Sequence, residues 1–505
     1  MGLGHTYAVA LTGVHGSVVE VEADIADGLP GITVVGMGDM AVAQARDRVR
    51  SAVVNSGVGW PRTRITVSLA PAGIHKRGAG FDAAIALALL AAEGVVPEGA
   101  VAEVVLIGEL GLDGSVRPVP GVLPALLAAR QAGKSEAIVA IDNLQEASLA
   151  RGMLVRGVAT LKDLIAHFRG DAGRLIVPGP RMQAPRRDLP DLADVYGQAE
   201  ARFALELAAA GGHHLALIGP PGAGKTMLAA RLPSLLPPLT EAESLEVTAI
   251  HSVAGTLDPT TPLLVTPPFI DPHHSASLAA MIGGGSGDLR PGSVSLAHLG
   301  VLFIDEAPEA RRTVLDSLRQ PMESGSVLVA RAKQVARFPA RFQLVLAANP
   351  CPCAAARDVD CTCAAGIRRR YLSRLSGPLM DRIDIRLDVP PVDVAALTGP
   401  PAAQESSAVV RSRVVEARAR AAHRWREAGY RCNAQVQSRT VREWWRSHGP
   451  RPVLLERAVR VGALTARGYD RVLRLALTAA DLAERPVPDA SDVARALALR
   501  CGEAA

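Results

Sequence analysis

Lysine is nearly missing from this chain. Of 55 Lys and Arg residues, the lysines are Lys76, Lys134, Lys162, Lys225 and Lys333. An ammonium and a guanidinium are not interchangeable, so each lysine retained against that background is informative. Long apolar runs are also missing. Gly, Pro or charge interrupts each one before about 18 residues, so no transmembrane helix and no membrane partner are expected. The first residues lack the charged-then-apolar pattern of a secretory leader, and the expected location is the cytoplasm. Cysteine is scarce, with six in the chain, but four of them fall within residues 351–363. That is the usage of a metal site rather than of a disulfide framework. Strong charge of either sign is lacking too. The formal net charge of +5 permits nucleic-acid binding without demonstrating it. The length leaves room for about three domains.

The most informative stretch is residues 215–226. Leu215, Ala216, Leu217 and Ile218 read as a buried strand. Gly219, Pro220, Pro221, Gly222, Ala223, Gly224, Lys225 and Thr226 then match the P-loop pattern. Glycines let the backbone N–H groups converge on one point, and a helix starting near Lys225 aims its positive end at that point. Lys225 can reach the β- and γ-phosphates, and the Thr226 hydroxyl can hold Mg²⁺. A second apolar run, residues 301–304, ends in Asp305 and Glu306. A buried parallel strand that stops at carboxylates places them beside the phosphates. Asp305 is expected to hold the magnesium through water, and Glu306 to polarise the attacking water. ATP and Mg²⁺ are thus the expected cofactors, and ATP hydrolysis the expected activity.

Taken in order, residues 1–170 read as a compact α+β domain. Strands are expected at residues 7–11, 18–22, 32–35, 65–69 and 104–109, with helices at 40–56, 81–92 and 121–132. The basic patch His75, Lys76, Arg77 is either a phosphate contact or a solvated turn. Residues 171–190, rich in Pro, Gly and Arg, read as a linker. An ATPase core is expected over 191–395. The histidines between the P-loop and the acids show no ligand spacing and read as polar loop and insert positions. A helix is expected over 311–323. Residues 326–330 and 333–338 then form a hairpin with Arg331 and Lys333 at its tip, basic either to touch a substrate or merely to be solvated.

Residues 343–349 make the next core strand, ending in Asn349. Directly after it come Cys351, Cys353, Cys361 and Cys363, two close pairs able to enclose a structural Zn²⁺ with sulfur at all four positions. Four reduced surface cysteines are the alternative. Residues 408–505 are helical by period and read as a lid. Their tryptophans are either lid core or base-stacking platforms.

Residues 108–121, Gly-Glu-Leu-Gly-Leu-Asp-Gly-Ser-Val-Arg-Pro-Val-Pro-Gly, resemble the corresponding segment of Lon-type protease domains, which have the ribosomal-S5-like fold. By that match, Gly80 stands at the nucleophilic Ser and Leu123 at its activating Lys, so proteolysis is not expected. The run of helix, strand, P-loop and helix resembles an AAA+ core. That resemblance implies that Asn349 is sensor 1, that Arg382 reaches the ATP of a neighbouring subunit, and that Arg467, with Arg471 as runner-up, is sensor 2. A salt bridge to Asp381 or Asp384 is the other reading of Arg382. The order of all these segments resembles the YifB/ComM family of magnesium-chelatase-like AAA+ ATPases. The expected architecture is therefore α/β, with a Lon-like N-terminal domain, an AAA+ core and an α-helical lid. The resemblance implies a homo-oligomer, a hexameric ring, that acts on single-stranded or branched DNA. It further implies a helicase promoting branch migration in recombination or natural transformation. A metal-insertion or protein-remodelling ATPase is the alternative.

Overall fold

The alternating residues at the start of the chain form two long antiparallel strands, Gly2–Thr12 and His15–Ala26, with Ala8, Ala10, Val19, Val21 and Ala23 buried on one face. The computed structural model describes residues 2–36, 38–171, 173–179, 189–284, 289–331, 334–355, 360–391 and 404–501. The two strands are the centre of a seven-stranded mixed sheet. Its order is Gly31–Val35, Arg64–Ala70, His15–Ala26, Gly2–Thr12, Val104–Ile107, Glu136–Ala140 and Leu154–Val158. The helix Asp82–Ala92, almost wholly buried, lies directly on the first strand. Glycine permits that approach: a Cβ on Gly4 would sit 2.2 Å from the Ala88 carbonyl oxygen. Arg48 holds the buried Asp82 at the start of this helix with two hydrogen bonds, of 2.6 and 2.9 Å.

The second sheet is five-stranded, and every strand in it is parallel to its neighbours. Its order is Phe269–Ile270, Val301–Ile304, Gln343–Ala348, Leu215–Ile218 and Ile385–Asp388. Strands covered on both faces need apolar residues throughout, and Val301–Ile304 and Gln343–Ala348 are buried at every position. The register pairs Ile218 with Ala348 and Ile304 with Leu346, so the chain leaves these three strands at one edge of the sheet. The segments 219–226, 305–306 and 349–353 follow directly from that edge, which is where an open parallel sheet binds ligands.

The helices Ser407–Arg424, Ser438–His448, Val453–Arg460, Ala466–Leu482 and Ala490–Cys501 form the C-terminal region. Trp425 and Trp445 are buried and belong to its core, as one of the two sequence readings had it. The expected single helix over 311–323 is divided into Arg312–Ser317 and Arg319–Ser324. Pro321 has no N–H to give the carbonyl of Ser317, and its ring crowds that carbonyl.

Helix Glu241–Ala254 joins the two sheets. Ser252 accepts from the Gly121 N–H at 3.1 Å and donates its hydroxyl to Glu146. Glu146 in turn accepts from the Leu123 N–H at 2.8 Å. Leu123 packs with Leu149 and Ala249 in a small apolar cluster. The position matched to the Lon lysine is thus an apolar contact between the N-terminal region and this helix. Burial pushes the Glu146 carboxyl above its ordinary range. Among the described residues, no helix is long and apolar enough to cross a membrane.

Candidate nucleotide site

The turn after Leu215–Ile218 is built from glycine where nothing else fits. A Cβ on Gly219 would meet the Val389 carbonyl oxygen at 2.3 Å, and Gly222 and Gly224 have φ of +76° and +85°. Gln198 braces this turn, donating to the Ala223 carbonyl at 2.8 Å. The helix Lys225–Leu235 begins at the lysine. Lys225 Nζ donates to the Gly219 and Pro220 carbonyls at 2.7 and 2.9 Å and to Asn349 Oδ1 at 3.0 Å. Burial lowers the Lys225 pKa, and the charges of Asp305 and Glu306 oppose that shift. Thr226 Oγ1 donates to Asp305 Oδ2 at 2.7 Å. This exposed hydroxyl–carboxylate pair is a hard oxygen donor set of the kind Mg²⁺ takes. The four residues Lys225, Thr226, Asp305 and Asn349 therefore meet at one point.

Glu306 follows with φ of +46°, in the left-handed region uncommon for a residue with a side chain. Its N–H donates to Asp305 Oδ1 at 2.8 Å, and its carboxylate is half exposed. His274 Nδ1 lies 3.3 Å from Glu306 Oε2. The sequence reading left His274 as a loop position and missed this contact. The doubled histidine in Pro272-His273-His274-Ser275 was the available signal. Two other histidines are buried: His298 lies in the turn after helix Ser293–Leu296 and faces Glu246, while His251 is not a loop residue but part of helix Glu241–Ala254.

Arg382 and Arg467 lie elsewhere. Both line a cleft of about 780 Å³ at the opposite edge of the second sheet, together with Gly300, Gln343, Arg471 and Arg474. Arg467 opens the helix Ala466–Leu482 on that side, so it is gathered with Arg382 and not with Lys225 of the same chain. Arg382 is buried and donates to the Pro378 carbonyl at 2.6 Å and to Glu323, rather than to Asp381 or Asp384. Arg471 is engaged by Asp384 and by the Asp381 carbonyl, the latter at 2.7 Å.

The four cysteines converge. Cys351 Sγ lies 3.2 Å from Cys353 Sγ and 3.4 Å from Cys361 Sγ, and all four sulfurs fall within 4.8 Å of one another. Tetrahedral sulfurs about 2.3 Å from zinc are about 3.8 Å apart, so the cluster has the right size. Hydrogen bonding from Cys351 draws the Cys353 thiol down to about 6, while burial pushes Cys351 up to about 11.

The basic residues expected to touch phosphate fare unequally. Lys76 is fully buried and donates to the Pro71 carbonyl, which removes its charge from any surface. Arg77 is half-buried beside it. The hairpin forms as Ser326–Arg331 paired with Gln334–Pro339. Arg331 ends the first of these strands, while Lys333 lies outside the described residues.

Residues 191–397 match the family described as magnesium chelatase, subunit ChlI. Residues 21–143 match subunit ChlI of Mg-chelatase, and 404–500 match the ChlI C-terminal family. An uncharacterized protein of Mycobacterium tuberculosis is 52% identical over 503 residues, 99% of either chain. YifB of Escherichia coli is 41% identical over 482 residues, covering 95% of this chain and 94% of its own. Competence protein ComM of Haemophilus influenzae is 40% identical over 486 residues, with the same two coverages of 95% and 94%. The chain belongs to the YifB/ComM family of magnesium-chelatase-like AAA+ ATPases.

Proposed function

We propose that the protein is a ring-shaped ATP-driven DNA motor, a helicase that promotes branch migration during recombination or natural transformation. The observation that carries the ATPase part is the meeting of Lys225, Thr226, Asp305 and Asn349 at the exit edge of a parallel sheet. Lys225 and the N–H groups of residues 219–226 bind the phosphates. Thr226 and Asp305 would hold Mg²⁺, which would offset the charge of the phosphates. Glu306 takes the proton of the attacking water, and Asn349 reads the γ-phosphate. Arg382, at the far edge of the sheet, serves the ATP of the next subunit, and Arg467 shares its face. That arrangement requires a homo-oligomer, and a hexamer closes the ring. The cysteine cluster holds a structural zinc. The domains are a Lon-like, non-proteolytic unit over 1–170, a core over 191–395 and a lid over 408–505.

The DNA reading rests on the kinship with competence protein ComM and on the hairpin ending at Arg331. Lys76 takes no part in it. The test is the ATPase rate of the full chain at low salt, alone and with single-stranded, double-stranded or forked DNA. Stimulation that fades steeply as salt is added is expected of a phosphate-tracking motor. A second reading is favoured by the match to magnesium chelatase subunit ChlI over the whole core. A metal-insertion motor would be stimulated by a metal-binding partner subunit and not by any DNA.

A further inference from the structure

The N-terminal region rests on two elements of the chain that follows it. One contact is the turn between the strands Gly2–Thr12 and His15–Ala26. Gly13 stands there with φ of +64°. A Cβ on it would meet Ala336 Cβ and the Arg337 carbonyl oxygen at 3.3 Å and Phe338 at 3.4 Å. Val14 packs into the apolar cluster that holds Val327, Val329, Ala336 and Phe338. The turn therefore sits on Gln334–Pro339, the second strand of the hairpin whose first strand ends at Arg331.

The other contact is helix Glu241–Ala254. Its residues 241, 245, 249 and 252 recur at helical spacing and share one side. Glu241 pairs with Arg151 at 2.5 Å, Leu245 and Ala249 pack with Leu123 and Leu149, and Ser252 bonds to both Gly121 and Glu146. On its other side, Glu246 Oε1 lies 3.1 Å from the buried His298, and His251 Nε2 donates to the Leu296 carbonyl at 3.0 Å. The helix thus ties the N-terminal region to the segment that leads into Val301–Ile304.

The two contacts belong to one packed unit. Gly121 opens the helix Val122–Gln131, and a Cβ on it would meet Leu11 at 2.3 Å. A Cβ on Gly16 would meet Ala128 at 2.6 Å. Surfaces that close leave no slack, so the turn at Gly13 and the dock at Gly121 move together. The dock itself is light. Its buried apolar part is Leu123, Leu149 and Ala249. Once parted, the Ser252 hydroxyl and the Glu146 carboxylate are both hydrated, so their bond has only the net worth of a hydrogen bond in water. The exposed Arg151–Glu241 pair adds little. Small polar interfaces between domains are the ones that move.

We propose that the N-terminal region is a clamp: docked at Ser252, it holds the hairpin of Ser326–Arg331 and Gln334–Pro339 in place through Gly13 and Val14, and undocking frees it. The proposal rests on the ATPase reading given above and gives the N-terminal region a regulatory part in that motor.

The test uses the full-length protein. Hydrogen–deuterium exchange is followed by mass spectrometry, and basal ATPase is measured at saturating Mg-ATP, for wild type, S252A and G13N. S252A removes the hydroxyl from the dock and leaves the hairpin untouched. G13N suits the left-handed φ, sets a side chain against residues 336–338, and leaves the dock untouched. Coupling between two contacts is reciprocal. S252A should therefore speed exchange in residues 334–339 by about two- to tenfold, the worth of one hydrogen bond. G13N should speed exchange in residues 121–123 by a similar factor. Basal kcat of S252A should rise about two- to fivefold, because a cycle that moves the hairpin no longer has to break the dock first. Circular dichroism and binding of a fluorescent ATP analogue show that each variant is folded. Exchange that rises only around the substituted residue overturns the clamp. Reciprocal loosening with kcat at or below the wild-type value overturns it too, since the junction is then a joint without control. A wild type that hydrolyses no ATP removes the ATPase reading and the clamp together. If wild type is an ATPase that no DNA stimulates, the DNA track falls, and exchange and kcat in the two variants still decide the clamp.

Discussion

Thr226 Oγ1 and Asp305 Oδ2 are 2.7 Å apart, although 79 residues separate them in the chain. The pairing brings the first turn of one helix onto the end of a strand two places away in the sheet. A hydroxyl and a carboxylate so placed are ready to hold one cation between them. T226A should therefore raise the Mg²⁺ concentration for half-maximal ATPase by roughly tenfold or more, the scale of losing one direct contact to the ion. A magnesium titration at fixed ATP reads this directly, and an unchanged midpoint would remove Thr226 from the metal site.

Glu306 stands one residue beyond, with a half-exposed carboxylate, while its backbone N–H donates to Asp305 and its carbonyl accepts from the Glu309 N–H at 2.7 Å. E306Q keeps the shape and loses the carboxylate proposed as the base. Nucleotide binding should persist while turnover falls by about 10²–10⁴, the usual worth of a positioned general base. Ordinary turnover in E306Q would reject the role given to this residue.

Arg382 sits before Ile385–Asp388, so the length of that strand, about 13 Å at 3.3 Å per residue, separates it from the P-loop edge. It cannot serve Lys225 of its own chain without unfolding that strand. R382A and K225A should each be inactive alone. Mixed, they should recover part of the activity, because some interfaces then pair an intact P-loop with an intact arginine. Recovery absent at every mixing ratio would place Arg382 in a structural role, held by Glu323 and Pro378.

The nucleotide site was the most legible part of the sequence because its chemistry is local. Gly222 and Gly224 answer to φ, Lys225 and Thr226 to reach, and these demands are written in consecutive residues. The sulfur cluster was legible for the same reason. Lys76 was not: a triplet of His, Lys and Arg looks like surface whether or not the middle side chain turns inward to the Pro71 carbonyl. Arg467 was expected to face the nucleotide as sensor 2, yet it lines the cleft at the opposite edge of the sheet, since the side of the core on which a helix starts depends on contacts between distant segments such as Arg471 with Asp384. His274 escaped because its neighbour Glu306 follows the strand Val301–Ile304, far along the chain, and spacing carries no trace of that approach. Propensity likewise joined residues 311–323 into one helix where Pro321 divides them.

His214 gives the fold a sensitivity to acid. It accepts from the Leu344 N–H at 3.0 Å through Nδ1, and burial lowers its pKa to about 4. An unfolded histidine titrates near 6.5, so below about 6.5 the unfolded chain binds a proton that the folded chain refuses. Stability should therefore fall as pH drops from about 6.5 toward 4. Asp384 acts in the same direction at lower pH. Burial opposes its ionisation, but Arg471, His213 and His214 outweigh that and hold its pKa well below the ordinary value. Between pH 7 and 5 the His214 contribution is at most about 2 kcal/mol. Urea unfolding followed by tryptophan fluorescence at the two pH values measures it. H214N, whose amide can still accept from Leu344, should lose less over that interval than wild type does.

The cysteine cluster joins two parts of the nucleotide site. Asn349 lies two residues before Cys351, and helix Ala365–Leu372 begins two residues after Cys363. Just past that helix, Arg374 donates to the Pro308 carbonyl at 3.2 Å and to Glu309 at 3.0 Å, in the turn that follows Glu306. A tetrahedral ion bound by all four sulfurs would clasp the loop between Asn349 and the turn that follows Glu306. The purified chain should therefore contain about one zinc per protomer by mass spectrometry, bound tightly enough to survive dialysis. C361S should lose the metal and unfold several degrees lower, because a structural site contributes its binding energy to the fold. Its kcat should fall more than its affinity for ATP, since Asn349 and Glu306 lie at the two ends of the clasp while the phosphate-binding turn does not. A protein free of zinc, whose four thiols all react at once with a thiol reagent, would leave the cluster as reduced cysteines and remove the clasp.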